Sequence, residues 1–437
     1  MITADNYKHI HLLGIGGAGM SGLAKHLVSK GIKVSGQDSV TSETTLDLST
    51  QYSISIDYGD ESTLPSDTDM VIYSRAVPGT DKQRKMAAAH DIQQFSYPEF
   101  LGKVIDNTYT IAVAGTNGKT TTTSMIVELF DNQKKPFNAI VGADLQKFST
   151  NYISNNADTF VIEACEYKNS FLNYTFDVLV VTNITEDHLD FFDDLEDIQR
   201  SFMSLIDNAK DGAVVICDTT LRALAPIVAY AQKNNVSVIN YHEYISGTKV
   251  SIPGDHNINN AAAALGVVDY LALDISKARQ YLESEFKGAK RRLEYLGVTQ
   301  HGALVFDDYA HNPEGLHFLI AGIKERYPQK NIVMLFEPHL YSRTRDFKEE
   351  FVVELQQVDE LYLFATYRAR EDHDPKEDFL LAQYIDTQVV TLHTVENAQS
   401  FQQQFDSQQY ASDTIIISAG AGDIWKHSHP LVKKHSH

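Results

Sequence analysis

Two glycines, a lysine and a threonine follow an apolar run near position 115, and together they could bind the phosphates of a nucleotide. The apolar residues 111–114 predict a buried strand. Gly115 and Gly118 predict a turn that leads into a helix. Such a turn points backbone N–H groups at an anion, and the helix N-terminus adds a partial positive charge. Lys119 would reach the β- and γ-phosphates, and the Thr120 hydroxyl would bind Mg²⁺. The alternative is an ordinary strand–turn–helix junction, which the order of these residues disfavours.

A second group of candidates follows two other apolar runs. Glu163 ends the run 159–163, and His188 comes shortly after the run 178–184. Because parallel strands end at the same edge of a sheet, both side chains would lie near the phosphate turn. Mg²⁺ takes one or two carboxylates besides phosphate oxygens and water. Of the two nearby glutamates, Glu163 and Glu166, Glu163 is the predicted ligand because it directly ends the strand. His188 would bind a cation or a substrate oxygen. The alternatives are a solvated strand end and a hydrogen-bonded structural histidine.

A glycine-rich turn near the N-terminus is the third candidate site. Residues 9–13 predict a strand, residues 14–19 carry four glycines, and a helix and a second strand follow. This is a βαβ unit whose turn lets backbone approach a pyrophosphate closely. Asp38 stands near the position of a ribose-binding acid, and Ser74 ends a further apolar strand. Ser74 would hydrogen-bond a ligand or simply start a turn.

The last third of the chain adds basic, acidic and histidine side chains. Arg292 belongs to the basic cluster Lys290-Arg291-Arg292, which is either a solvated face or a phosphate clamp. Asp308 ends an apolar run and is followed by His311, while another run leads to His339. Asparagines at 257 and 260 open a helix, where they would cap it or bind a purine edge. Strands alternate with helical stretches here, which predicts a second doubly wound domain.

Composition restricts the class of protein. The chain has 437 residues, of which 43% are hydrophobic and 22% are charged, as expected for a soluble globular protein of two to four domains. No apolar run reaches 18 residues and no signal peptide is evident, so neither a membrane span nor export is expected. Two cysteines give no disulfide framework, which favours the cytoplasm. A net charge of −21 argues against nucleic-acid binding.

The predicted fold is therefore α/β with three domains. The predicted boundaries are 1–107 for an N-terminal Rossmann-like domain, 108–286 for a central P-loop ATPase-type domain, and 287–437 for a C-terminal Rossmann-like domain.

Four motifs make the chain resemble the Mur ligase superfamily over nearly its whole length. They are the glycine turn 14–21, the Asp-Asp-Tyr-Ala-His-Asn-Pro stretch 307–313, residues 336–346, and the glycine turn 420–424. The His-containing stretch with Ser-Arg-Thr-Arg points to the branch that adds L-alanine to UDP-N-acetylmuramate. That resemblance implies an ATP- and Mg²⁺-dependent ligase of peptidoglycan precursor synthesis that works through an acyl phosphate. It also implies small-molecule substrates, and we expect a monomer or weak homodimer.

The resemblance implies that the first domain, 1–107, binds the UDP-sugar, and it assigns roles to matching positions. Lys119, Glu163, His188, His339 and Arg343 would be catalytic, and Thr120, Glu163 and His188 would bind the metal. The positions implied for ATP are Gly115, Thr116, Asn117, Gly118, Lys119, Thr120, Thr121, Asn257, Asn260, Arg292 and Asp308. Those implied for the other substrates are Gly14, Gly16, Gly17, Ala18, Gly19, Met20, Ser21, Asp38, Ser74, His311, Arg343 and Arg345.

Three other functions remain open from the sequence. A sister ligase would add another amino acid or a preformed peptide, and two features leave room for it. Asn117 stands where the alanine-adding branch usually has His, and the region 236–253 is short for that branch. A non-catalytic nucleotide-binding protein would not need so many acids, histidines and arginines at strand ends. An NAD(P) oxidoreductase would have to account for Lys119 and Thr120.

Overall fold

A computed structural model describes residues 7–59, 63–187, 191–369 and 371–432. The chain forms two compact units: unit 1 comprises residues 1–251 and 258–287, and unit 2 comprises residues 252–257 and 288–437. Within the described ranges, no helix has the length and apolar character needed to cross a bilayer. The predicted α/β class is confirmed, and three sheets carry it.

The first sheet of unit 1 has five parallel strands in the order β3-β2-β1-β4-β5. The central strand β1 is buried along its whole length. The strand order reverses beside β1, so the glycine turn that follows β1 lies where doubly wound sheets bind ligands. The strands are β1 His9–Leu13, β2 Lys33–Asp38, β3 Ser55–Tyr58, β4 Met70–Tyr73 and β5 Gln93–Ser96.

The second sheet of unit 1 has seven strands in the order β12-β11-β10-β6-β9-β7-β8. It is parallel except for the β7–β8 hairpin, which the sequence did not lead us to predict. The strand β6 lies between β10 and β9, and its C-terminal end carries the predicted phosphate turn. The strands are β6 Tyr109–Ala114, β7 Asn138–Leu145, β8 Thr150–Ser154, β9 Thr159–Glu163, β10 Phe176–Val181, β11 Ala209–Cys217 and β12 Ser237–Asn240.

Unit 2 contains a six-stranded sheet in the order β13-β14-β18-β15-β16-β17. The edge strand β13 is antiparallel to β14, and the other pairs are parallel. Its inner strands are continuous apolar runs because helices cover both faces. The strands are β13 Glu294–Val298, β14 Leu304–Asp308, β15 Asn331–Phe336, β16 Glu360–Phe364, β17 Thr391–Val395 and β18 Thr414–Ala419.

Helices alternate with the strands and bury their apolar faces against the sheets. In the first part of unit 1 they are α1 Ala18–Ser29, α2 Glu43–Gln51, α3 Lys82–Ala89 and α4 Tyr97–Ile105. Around the second sheet they are α5 Lys119–Asn132, α6 Leu195–Ile206, α7 Ala225–Lys233, α8 Asp255–Tyr270 and α9 Ile275–Ser284. In unit 2 they are α10 Pro313–Arg326, α11 Tyr341–Asp346, α12 Lys348–Leu355, α13 Ala398–Asp406 and α14 Trp425–Ser428.

Two buried histidines of unit 1 should make folding stability depend on pH. His11 on β1 is 0% exposed and His26 on α1 is 5% exposed. Burial lowers the pKa of each from 6.5 to about 4. Between these two values the unfolded chain binds a proton at each position and the folded chain does not. Stability is therefore fully present above pH 6.5 and falls as the pH decreases toward 4.

We expect each histidine to contribute a slope of up to about 1.4 kcal/mol per pH unit to the free energy of unfolding in this window. Urea unfolding of the wild type and of His26→Gln across that range measures the contribution of His26. The variant should show a shallower slope. An identical slope in both proteins would contradict burial of a neutral imidazole as the cause.

Candidate functional site

The loop between β6 and α5 has the backbone geometry expected of the predicted phosphate-binding turn. Its glycines have backbone angles that side chains rarely allow, with φ of 130° at Gly115 and 83° at Gly118. Asn183 holds the loop from the end of β10. The Asn183 carbonyl accepts from Thr116 N at 3.0 Å, and its Oδ1 accepts from Asn117 N at 3.0 Å. Neighbouring strand ends thus fix the loop's shape.

Neither glycine leaves room for a side chain. A Cβ on Gly115 would collide with the Thr182 hydroxyl, and one on Gly118 would collide with the Asn260 amide. Asn260 is 4% exposed, and its Oδ1 accepts from Thr122 Oγ1 at 3.2 Å. It therefore packs against α5 beneath the loop.

Two other positions predicted for ATP have simple surroundings. In unit 2, Asn257 Nδ2 donates to the Pro253 carbonyl at 2.6 Å. Thr121 is half-buried in the first turn of α5.

Lys119 forms a close ion pair with Glu166, which follows β9. Lys119 Nζ lies 3.0 and 3.1 Å from the two Glu166 carboxylate oxygens, and it also donates to the carbonyls of Gly115 and Thr116. Glu166 is only 3% exposed. Burial alone would lower the pKa of Lys119, but the charge and hydrogen bond of Glu166, together with Cys165 and Glu163 nearby, outweigh burial and raise that pKa above its usual value. The amine is therefore fully charged at neutral pH.

Glu163 and Thr120 meet at the same edge of the sheet. Thr120 Oγ1 donates to Glu163 Oε2 at 3.0 Å, and Gly142 N donates to Glu163 Oε1 at 2.6 Å. A hydroxyl beside a half-buried carboxylate is a suitable pair of hard oxygen ligands for Mg²⁺, which completes its shell with phosphate and water. Among the described residues, no group of three or more His, Cys, Asp or Glu could hold a metal by itself. His188 lies outside the described residues.

The N-terminal glycine turn is closed by the two residues that the sequence placed beside it. Asp38 Oδ2 accepts from Gly16 N at 2.7 Å, and Gly14 has a φ of 75°. A Cβ on Gly14 would stand 3.0 Å from Ser74 Cβ, so the Ser74 segment directly borders the turn. Gly17 precedes α1 without a side-chain cap, which leaves N–H groups at the helix start.

Three residues of α1 that were predicted to bind substrate pack against neighbouring parts of unit 1. Met20 is 3% exposed and lies in the apolar core, and Ser21 is 1% exposed. The Asn151 amide, from β8, donates to Ser21 Oγ at 3.0 Å and to the Ala18 carbonyl at 2.7 Å. A Cβ on Gly19 would collide with the Tyr97 ring. For Met20 and Ser21, the structure therefore places the side chains inward, and any ligand contact would come from backbone.

In unit 2, Asp308 uses both carboxylate oxygens on backbone. Oδ2 accepts from Leu293 N at 2.6 Å, and Oδ1 accepts from Ala310 N at 2.7 Å. Burial raises the pKa of Asp308 against these hydrogen bonds and the nearby Arg292 charge. The Arg292 guanidinium lies 5.0 Å from the centre of the Tyr309 ring. Arg292 and Asp308 thus lie at the same end of the unit 2 sheet.

The predicted histidines and arginines of unit 2 lie on two adjoining segments. The His311 and His339 rings are 5.8 Å apart, and His339 stacks on Tyr367. Arg343 and Arg345 are on α11, directly after the His339 segment. Arg345 Nη1 donates to Glu377 at 3.3 Å and its side chain is 55% exposed. Histidines and arginines on such adjoining segments are side chains that suit a carboxylate or phosphate ligand.

A network around the glycine turn 420–422 was not predicted from the sequence. Arg291 pairs with Asp307 at 3.1 Å and also donates to the carbonyls of Gly420 and Gly422. On the other side of the turn stands Glu337, 9% exposed, whose pKa burial raises to about 7. A Cβ on Gly422 would collide with the Glu337 carboxylate, so only glycine fits there.

The sequence favoured Glu163 over Glu166, and Asn183 and Asn151 were missed, although each of these three residues supports a predicted site. Glu166 and Asn183 follow apolar strands, which is the signal that led to Glu163 and His188. Asn151 has no such signal because it comes from the unpredicted hairpin. The functional roles of the individual site residues stay predictions.

Comparison with family models matches three consecutive segments of the chain. Residues 9–109 match the "Mur ligase family, catalytic domain", residues 113–246 the "Mur ligase middle domain", and residues 291–422 the "Mur ligase, glutamate ligase domain". Among curated relatives, the UDP-N-acetylmuramate–L-alanine ligase of Agathobacter rectalis is 32% identical, with 98% of each chain covered. The enzyme of the same name from Caldanaerobacter subterraneus is 34% identical, with 85% of each chain covered.

Solved structures share the fold. The UDP-N-acetylmuramate–alanine ligase of Thermotoga maritima superposes with a TM-score of 0.81 at 24% identity, covering 97% of this chain and 98% of that one. A murein peptide ligase from Psychrobacter arcticus gives a TM-score of 0.69 at 21% identity, covering 98% and 100%. The Mycobacterium tuberculosis folylpolyglutamate synthase complexed with ADP gives 0.58 at 17% identity, covering 74% and 90%.

Proposed function

This chain belongs to the Mur ligase family, and on that premise we propose that it joins L-alanine to the lactyl carboxylate of UDP-N-acetylmuramate with ATP. The observation that carries the proposal is the phosphate-binding loop, on which Lys119 faces Glu166 and Thr120 faces Glu163. The choice of L-alanine and of this acceptor is supported by the full-length likeness to ligases of that name. The product serves peptidoglycan synthesis.

In this proposal, residues of unit 1 would bind both nucleotides. Lys119 and the loop N–H groups would bind the ATP phosphates, and Thr120 and Glu163 would hold Mg²⁺, with His188 as a further candidate. The metal would neutralise charge on the transferred phosphoryl group. Gly14, Gly16 and the uncapped start of α1 would bind the UDP diphosphate through backbone, with Asp38 and Ser74 at the rim.

The reaction needs a carboxylate to become a good acyl donor. A lactyl carboxylate oxygen attacks the γ-phosphorus, the bond to the β-phosphate oxygen breaks, and ADP leaves. The amine of L-alanine then attacks the acyl carbon, loses a proton, and inorganic phosphate leaves. Lys119 keeps its charge at neutral pH, so it can stabilise the anion that develops during phosphoryl transfer.

We assign the remaining site residues to unit 2. Arg343 and Arg345 would pair with the amino acid carboxylate, and His311 and His339 would line the same site. Arg292 and Asp308 would contact the ATP phosphate and ribose. We also propose the domain division 1–107, 108–286 and 287–437, in which each domain is built on one of the three sheets. The cytoplasmic location and the oligomeric state stay predictions.

The test is a phosphate-release assay on the purified chain. With UDP-N-acetylmuramate, L-alanine, ATP and Mg²⁺ all present, we expect continuous phosphate release, and omission of any one component should stop it. A panel of other amino acids and of short peptides in place of L-alanine tests for a sister ligase. Release that ignores the UDP-sugar, or that is faster with a peptide, would refute the substrate assignment.

A further inference from the structure

An arginine beside the N-terminal glycine turn reaches the segment that holds Lys119. Arg75 follows Ser74, which borders Gly14, and its Nη1 donates to the backbone carbonyl of Lys168. Arg75 is half-buried. Both segments belong to unit 1, so the contact joins the two predicted nucleotide sites within one compact body. Nothing in the sequence motifs assigns Arg75 a role.

The segment that Arg75 contacts has an unusual backbone. Lys168 and Asn169 are consecutive non-glycine residues with φ of 52° and 57°. The left-handed region costs about 1–2 kcal/mol per residue for L-amino acids, so neighbouring groups must maintain it. Arg75 helps to maintain this conformation by donating to the Lys168 carbonyl, and Ser201 Oγ helps by donating to Asn169 Oδ1 at 2.5 Å.

The same turn begins at Glu166, which forms the ion pair with Lys119. Asn169 N donates to the Glu166 carbonyl at 2.8 Å, so the turn 166–169 is one hydrogen-bonded unit. Glu166 then binds Lys119 through both carboxylate oxygens. To bind phosphate, Lys119 must exchange at least part of its contact with Glu166. The position of the turn therefore affects how readily Lys119 becomes available.

We propose that Arg75 is a positioning residue that couples binding of the UDP-sugar to binding of ATP. It does so through the turn 166–169, by setting how firmly Glu166 holds Lys119. The diphosphate of a UDP-sugar would attract the neighbouring Arg75 guanidinium and relax its hold on Lys168. Relaxation of the turn lets Lys119 leave Glu166 for a nucleotide phosphate. The inference rests on the proposed function, because it takes the UDP-sugar and ATP as the two ligands.

The experiment measures ADP affinity by calorimetry with Mg²⁺, with and without saturating UDP-N-acetylmuramate, on the full chain. In the wild type we expect the UDP-sugar to tighten ADP binding about 5-fold or more, the usual range for coupled sites. In Arg75→Ala the ratio should fall to about 1. Arg75→Lys keeps a charge and a donor, so it should restore part of the coupling. Arg200→Ala is the matched control, because Arg200 is 56% exposed and pairs with Asp197, three residues before it in the chain.

Each result decides the matter. No tightening in the wild type, a wild-type ratio in Arg75→Ala, or an equal loss of ADP affinity with and without the UDP-sugar overturns the coupling role. The last of these would mark a purely structural contact. If Arg75→Ala does not fold, Arg75→Gln decides between the same results. Failure of the wild type to bind either ligand would refute the proposed function as well. Normal turnover together with a wild-type affinity ratio in Arg75→Ala would refute this inference alone.

Discussion

Lys119→Ala should abolish phosphate release under conditions in which the wild type turns over. Removing one preorganised donor from a transition-state anion lowers kcat by about 10²–10³-fold, and Lys119 carries a full charge in addition. The loop would keep its shape, because Asn183 holds the backbone of Thr116 and Asn117 independently of the lysine. The measurement is the initial rate of phosphate release with every substrate saturating.

Loss of Lys119 has a second consequence that the experiment must separate from catalysis. Glu166 is 3% exposed and would become an unpaired buried charge. Such a loss costs about 3–5 kcal/mol of stability, so the alanine variant is also expected to unfold at lower urea concentration. Lys119→Arg keeps the charge opposite Glu166 and should remain folded. Its planar guanidinium cannot reproduce the single ammonium contact, so it too should lose most activity. A fully active Lys119→Arg would contradict the proposed role.

The phosphate loop was predictable from the sequence because its information is local. The glycines, Lys119 and Thr120 all lie within positions 115–120, and the backbone angles of Gly115 and Gly118 favour glycine. The three-sheet α/β fold was predictable for a similar reason, because apolar strands alternate with helices along the chain. The family resemblance then extended these local motifs to a full set of predicted site residues.

The partners of the loop were not predictable because they are set by tertiary packing. Glu166 and Asn183 come from neighbouring strands, and only the strand order brings them to the loop. The sequence favoured Glu163 over Glu166 as the site carboxylate, whereas the structure places both there, one on Thr120 and one on Lys119. The left-handed turn that presents the Lys168 carbonyl has no glycine to reveal it.

The β7–β8 hairpin shows the same difficulty for a whole element. Its strands contain polar residues such as Asn151, whose burial is explained only by contacts with α1.

In unit 2, the sequence treated Arg291 and Arg292 as one basic cluster. Both guanidinium groups lie near the Tyr309 ring, at 5.3 and 5.0 Å from its centre, but the structure shows that Arg291 also binds a buried acid and a glycine turn. A charge-based reading could not distinguish the two.

Arg291→Met should strongly destabilise unit 2. Asp307 is 0% exposed, and Arg291 Nε lies 3.1 Å from its carboxylate. Removing one partner of a buried ion pair costs about 3–5 kcal/mol, because the other charge remains without compensation. His429 Nε2 is 3.8 Å away, too far to replace the guanidinium hydrogen bond. The variant also loses the donors to Gly420 and Gly422. Urea unfolding of the full chain measures the effect.

Two further variants show whether the buried charge is the cause. Lys426→Ala removes an exposed ion pair with Asp423, in which both side chains are more than half exposed, and should cost about 0–1 kcal/mol. The double variant Arg291→Met/Asp307→Asn removes both charges, and Asn can still accept the hydrogen bond from Ser418. It should therefore recover part of the stability lost by Arg291→Met, which a double-mutant cycle quantifies. A double variant less stable than Arg291→Met would show that the guanidinium acts through the glycine turn 420–422 and not by neutralising Asp307.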